Sequence, residues 1–141
     1  NVPGIIGFAK AVEIAIDEMD AENKKYKKWT DTMLEKFSAV GGKLNGHLTN
    51  RLTHNLNIRF DGVQSKSIIN TVSKKLAISA GSACTSDLVE PSHVLLALGL
   101  SEDQAHNSIR IGCNRFNTDE EIDFAINEIL NALKSIAKIR V

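Results

Sequence analysis

The chain has 141 residues, 43% of them apolar, and 17 basic side chains balance 17 acidic ones. That length suffices for one hydrophobic core, while the zero net charge gives no general attraction for nucleic acid and no long apolar run is offered to a membrane. Two cysteines, Cys84 and Cys113, with no signal peptide in the sequence given, fit a reducing compartment such as the cytoplasm better than a disulfide scaffold, and the lack of a Cys-x-x-Cys pair excludes a metal knuckle.

The opening Asn-Val-Pro-Gly reads as a turn already inside a fold, and with no initiating methionine it suggests part of something longer. Ile5, Phe8, Ala9, Val12, Ile14 and Ile16 predict a first helix. Trp29, Met33, Leu34, Phe37 and Val40 then mark an apolar stripe on a long second one. Lys24, Lys25, Lys27 and Lys28 fall on that helical pattern as a solvated face. Gly41-Gly42 stops the helix. A strand begins in Leu44 to Leu48, and Asn55 to Phe60 sets Leu56, Ile58 and Phe60 against Asn55, Asn57 and Arg59, the period of a half-buried strand. Asp61-Gly62 turns the chain. Gln64 to Lys75 reads as a helix with Ile68, Ile69 and Val72 inward, and Leu76 to Ile78 as a short buried strand.

Ser79 to Pro91 follows as a loop with Cys84 at its tip, and Pro91 opens a helix carrying Val94, Leu95 and Leu98 that ends at Gly99. Ser101 with Gln104 forms a capping box over one short turn, and Ser108 to Cys113 is a strand. The final helix starts at a second box, Thr118 with Glu121. It buries Ile122, Ala125, Ile126, Ile129, Leu133 and Ile136, and sets Lys134, Lys138 and Arg140 against the negative end of its dipole. Helices outnumber short strands joined by connections that permit an antiparallel or mixed sheet covered on one side, which is an α+β domain.

The chemical candidates are few. Cys84 sits among small and polar residues, unlike a packed structural cysteine. Two readings stand beside each other, a loop cysteine without chemistry and a nucleophilic or sulfur-carrying thiol. A free thiol with a pKa of about 8.5 is mostly protonated at neutral pH, so the second reading needs a cationic neighbour, a helix N-terminus or an external base. His93 and the helix start near Pro91 are the nearby possibilities. A dozen extended residues span roughly 40 Å, which gives a loop tip a reach of two sites. Arg110, between Ile109 and Ile111, projects from the polar face of its strand. The rigid guanidinium fork suits a carboxylate, and a surface salt bridge is the alternative. Arg115 competes as an anchor by spacing. His54, His93 and His106 are dispersed structural histidines, and Cys113 is a packed thiol.

The Ser-Ala-Gly-Ser-Ala-Cys-Thr-Ser segment, with Glu-Pro-Ser-His-Val-Leu, Ala-His-Asn-Ser-Ile-Arg-Ile and Arg-Phe-Asn-Thr-Asp-Glu-Glu-Ile-Asp after it, resembles the C-terminal part of NifS/IscS-type cysteine desulfurases. Asn-Val-Pro-Gly-Ile-Ile-Gly-Phe-Ala-Lys-Ala and His-Asn-Leu-Asn-Ile extend the resemblance over essentially the whole chain. It implies the small domain of an aspartate-aminotransferase-like, fold type I pyridoxal-phosphate enzyme. Residues 1–42 would be a helical lead-in from a large domain, and 43–141 the small domain with its cysteine loop at 79–91. The implied reaction removes sulfur from L-cysteine, leaving L-alanine and a persulfide on Cys84, with Arg110 gripping the substrate carboxylate. An iron–sulfur scaffold protein or another acceptor would take the sulfur, and the length of the loop favours the broad-acceptor desulfurases. Homodimers form through the large domain in this family. The family's Schiff-base lysine has no counterpart here, since none of Lys43, Lys66, Lys74 or Lys75 has its His-Lys context. These residues alone are therefore expected neither to bind pyridoxal phosphate productively nor to turn over cysteine. A non-catalytic sulfur-relay module and a selenocysteine lyase are the alternatives.

Overall fold

The computed structural model describes residues 1–80 and 90–139, so Cys84 and most of the loop expected at 79–91 lie outside the described residues, as do Arg140 and the side chain of Lys138. Helix α1, Val2–Ser38, is one helix of 37 residues where two were expected. Between Ile16 and Trp29 no glycine or proline interrupts it, and the intervening Asp, Glu, Ala and Lys residues tolerate or favour helix. The opening residues form its cap rather than a turn. The Asn1 side chain accepts from the Gly4 amide at 3.1 Å, and Pro3 occupies the first turn, where no N–H is required.

Ile5, Phe8, Val12, Ile16 and Met19 continue in helical register into Tyr26, Trp29, Met33 and Phe37, so one apolar face runs along a rod of roughly 55 Å. Only its second half is buried. Tyr26, Trp29, Thr30, Met33 and Phe37 pack into the core, whereas the five earlier side chains are exposed and no described residue covers them.

Gly41 takes φ of 89° and reverses the chain after α1. Strand β1 follows at Gly42–Leu44, earlier than the expected Leu44 to Leu48, because Gly46, at φ of 87°, turns the backbone away. Strand β2, Asn55–Phe60, has the expected alternation. Helix α2 is Ser65–Val72, and β3 is Ser79–Ala80 rather than Leu76 to Ile78, although Leu76 and Ile78 still pack against the core. Helix α3, His93–Ala97, has Ser92 at its N-cap, which puts Pro91 ahead of the helix and not in its first turn. Helix α4, Glu102–His106, carries the Ser101–Gln104 box in both directions. Strand β4 is Ser108–Gly112. The Thr118–Glu121 box, reciprocal at 3.2 Å, opens α5, Asp119–Ile139.

The sheet order is β1-β2-β4-β3, and every pairing is antiparallel, so of the two sheet types anticipated for an α+β fold this is the antiparallel one. Helices α1, α2 and α5 cover one face, where Leu56, Ile58, Phe60, Ile109 and Ile111 meet Phe37, Ile68, Ile126 and Ile129. The other face is polar, and its register aligns Lys43 with Arg59 and Ser108, then Asn57 with Arg110 and Ser79.

Candidate functional site

The open face of the sheet is where the sequence candidates and the fold meet. Arg110 is exposed there, between the buried Ile109 and Ile111, as the alternation on β4 requires. Its cross-strand neighbours are Asn57 on β2 and Ser79 on β3. Ser79 is also the first residue of the segment that leads to Cys84, so the strand carrying the candidate anchor is hydrogen-bonded to the base of the thiol segment.

A polar network lies beside Arg110. The Arg59 guanidinium donates to Asn45 Oδ1 at 2.8 Å and to Asp61 at 3.2 Å. Asn45 Nδ2 donates to Asn57 Oδ1 at 2.7 Å and to Ser108 Oγ at 2.9 Å, and Ser108 Oγ donates onward to the Gln104 carbonyl at 2.7 Å. Lys43 reaches Asp61 at 2.6 Å, and that hydrogen bond, with the Arg59 charge behind it, holds the Asp61 carboxyl below the usual carboxylate range. Arg59 is thus committed to a structural network. Among the described residues no carboxylate pairs with Arg110, so the surface salt bridge considered for it has no partner there.

Arg115 is committed elsewhere. It ion-pairs with Glu18 and, through Nε at 2.8 Å, with Glu22, both on α1, tying the β4–α5 loop to that helix. The lysine cluster on α1 is likewise more than a solvated face. Lys25 donates to the carbonyls of Arg115 and Asn117 at 3.2 and 3.0 Å over the Trp29 ring, and Lys28 pairs with Asp119 at 2.9 Å. The histidines stay apart: His54 meets the edge of Tyr26, His93 starts α3 and His106 ends α4. Cys113 is buried, and burial pushes its thiol pKa up, as fits a packed side chain.

The four lysines weighed for a cofactor are all exposed. Lys43 and Lys75 are ion-paired at the surface, with Asp61 and Glu128, and Lys66 and Lys74 are exposed. The neighbours of Arg110 that the sequence pattern did not single out are Asn57 and Asn45. Asn57 was visible on the polar side of β2, but its pairing with Arg110 depends on a register between strands some fifty residues apart.

Known proteins match this chain in sequence and fold. A cysteine desulfurase IscS of Methylobacillus flagellatus is 46% identical over 123 residues, which are 86% of this chain and 30% of that protein. One of Rickettsia typhi is 41% identical over 141 residues, 97% of this chain and 34% of the relative. Among solved structures, a NifS-like protein superposes with a TM-score of 0.82 at 28% identity, covering 95% of this chain and 34% of the other. A NifS-like protein from Rickettsia africae shares the fold, with a TM-score of 0.80. The chain therefore spans about a third of the length of the relatives it matches, and its α+β domain is that of the fold type I pyridoxal-phosphate enzymes. Residues 1–124 match the model of the class-V aminotransferases, a family whose enzymes depend on pyridoxal phosphate, and the chain belongs to that family.

Proposed function

We propose that this chain is the small-domain part of a cysteine desulfurase, in which Cys84 carries sulfur and Arg110 binds the carboxylate of L-cysteine. The observation that carries the reading is the pairing of Ser79 with Arg110 across β3 and β4, on the open face of the sheet. Cys84 lies only four residues beyond Ala80, so covalent geometry keeps its Cα within about 14 Å of that strand. Arg110 and Ser79, from which the chain leads on to Cys84, thereby lie on paired strands.

Pyridoxal phosphate, held by residues outside this chain, would activate the substrate. The Cys84 thiolate would take the sulfur, the carbon–sulfur bond breaking with its electron pair left on carbon, which gains a proton to give L-alanine. Cys84 is left as a persulfide for an acceptor thiol, which the family resemblance implies belongs to an iron–sulfur scaffold protein or another sulfur acceptor. The exposed first half of α1 supports a lead-in over residues 1–42, its apolar face covered by the larger domain, which in this family also forms the homodimer. Two cysteines without a Cys-x-x-Cys pair suit a reducing, cytoplasmic setting.

Intact-mass measurement on the longer protein after incubation with L-cysteine and pyridoxal phosphate tests the reading. A gain of one sulfur, absent from Cys84→Ala and from the 141-residue chain alone, is the expected result. No gain in the longer protein would sink the desulfurase reading and leave a non-catalytic relay module.

A further inference from the structure

The hydrogen-bond network beside Arg110 fixes which way each amide faces. Arg59 can only donate, so the Asn45 atom it meets at 2.8 Å is the carbonyl oxygen. Asn45 therefore presents its NH2 to Asn57 and Ser108, and the Asn57 atom 2.7 Å away must be the acceptor, Oδ1. What remains of Asn57 is its own NH2. Among the described residues it meets no acceptor, and neither does the guanidinium of Arg110, its partner directly across the strands on the same face. Opposed residues in an antiparallel pair stand about 5 Å apart at Cβ, which lets both groups reach one small ligand.

We propose that Asn57 is a second carboxylate-binding residue, acting with Arg110 on the substrate carboxylate, and that Asn45 and Arg59 orient it. The inference rests on the Arg110 reading above and adds a binding group to the same site. Two donor groups and no acceptor favour an anion over a cation or a neutral amide. Asparagine also differs here from the isosteric aspartate. A carboxylate at this position would accept from Asn45 equally well but would neutralise Arg110, whereas the amide leaves the guanidinium available.

The test is made in the longer protein, with Asn57→Ala and Asn57→Thr. Threonine supplies a β-branched side chain suited to the strand and a hydroxyl that can accept from Asn45 in place of the amide oxygen, and so serves should the alanine variant fail to fold. The readouts are kcat and KM for L-cysteine, and inhibition by 3-mercaptopropionate, which has the carboxylate without the amine, and by cysteamine, which has the amine without the carboxylate. Loss of one hydrogen bond to a charged group should raise KM and the 3-mercaptopropionate constant about tenfold or more, and leave kcat and cysteamine inhibition within about twofold. An unchanged KM, or an equal loss for all three ligands, would overturn the assignment, the second outcome marking Asn57 as merely structural. Arg110→Ala, measured alongside, separates the two readings. If it raises KM while the Asn57 variants do not, only Asn57 falls; if Arg110→Ala also has no effect, the carboxylate site as a whole falls.

Discussion

In the proposed carboxylate site, position 110 asks for more than a positive charge. A lysine there would present a point charge, whereas the guanidinium offers a planar fork, and the difference is measurable because Arg110 is not held by a described carboxylate. Arg110→Lys in the longer protein should raise KM for L-cysteine about tenfold, as one of two parallel hydrogen bonds is lost, with thermal stability unchanged for so exposed a side chain. Steady-state kinetics with a melting curve check both halves. Cys113 makes the opposite case, since burial alone raises its pKa and keeps it a thiol at pH values where a free cysteine ionises. Iodoacetamide at pH 8 should leave Cys113 unlabelled in the folded chain and label it after urea unfolding, as read by peptide mass spectrometry. Both placements were legible in the sequence, because Ile109 and Ile111 fix the face of Arg110 and an apolar strand leads into Cys113. What was not legible is which charges are already spoken for. Arg115 looked as free as Arg110, and only the fold brings Glu18 and Glu22, more than ninety residues earlier, against it.

The elements were read well where their signals are local and poorly where pairing decides. Both capping boxes and the alternation of β2 depend on neighbours within a few residues, and the structure has them as expected. The break expected in α1 has no local cause and is absent, while β1 and β3 shift because partners and glycines, not strand propensity, set their limits. Two glycines in these elements should respond in opposite directions to alanine. A Cβ at Gly42 would stand 2.8 Å from the Phe37 carbonyl oxygen and 2.9 Å from both Ile58 Cδ1 and Phe60 Cε1, so Gly42→Ala should cost about 1–3 kcal/mol. Gly7, in α1, has nothing within 4 Å, so Gly7→Ala should gain about 0.5–1 kcal/mol in helix propensity wherever that turn unfolds with the rest. Urea titration of the 141-residue chain checks the first, and amide exchange in the first turns of α1 the second. The same exposed half of α1 predicts concentration-dependent self-association of this chain in isolation, through Phe8 and Ile16. Phe8→Asp with Ile16→Asp should give a monomer in sedimentation velocity without moving the unfolding midpoint. A wild-type chain that is monomeric at every concentration would remove the apolar face as the cause.

Besides the core they share, the two long helices have a polar join that the strands do not make. Helix α1 and helix α5 lie far apart in sequence, and they meet where the Trp29 indole and Lys28 both donate to Asp119, at the first turn of α5. Nearby, Lys25 grips the loop that leads into α5, and Arg115 grips α1 in return. The hydrogen bond from Trp29, then that from Lys28, lowers the Asp119 pKa below its ordinary 3.8. A carboxyl whose pKa is depressed on folding adds stability that is present above its unfolded value and lost as pH falls through the folded one. The contribution of Asp119 should therefore be complete at neutral pH, begin to fade near 3.8 and vanish at lower pH. Asp61, Glu120 and Glu121 have lowered values too, so acid unfolding of the whole chain cannot identify the join by itself. Asp119→Asn can, because it removes one of these titrations and leaves a side-chain oxygen to accept from Trp29. Unfolding midpoints of the wild type and the variant, followed by fluorescence of the single tryptophan, should differ at pH 7 and converge once the pH is well below the ordinary 3.8. A difference that is the same at both pH values would mean that Asp119 acts through packing or capping, and that the charge between α1 and α5 contributes nothing to holding them together.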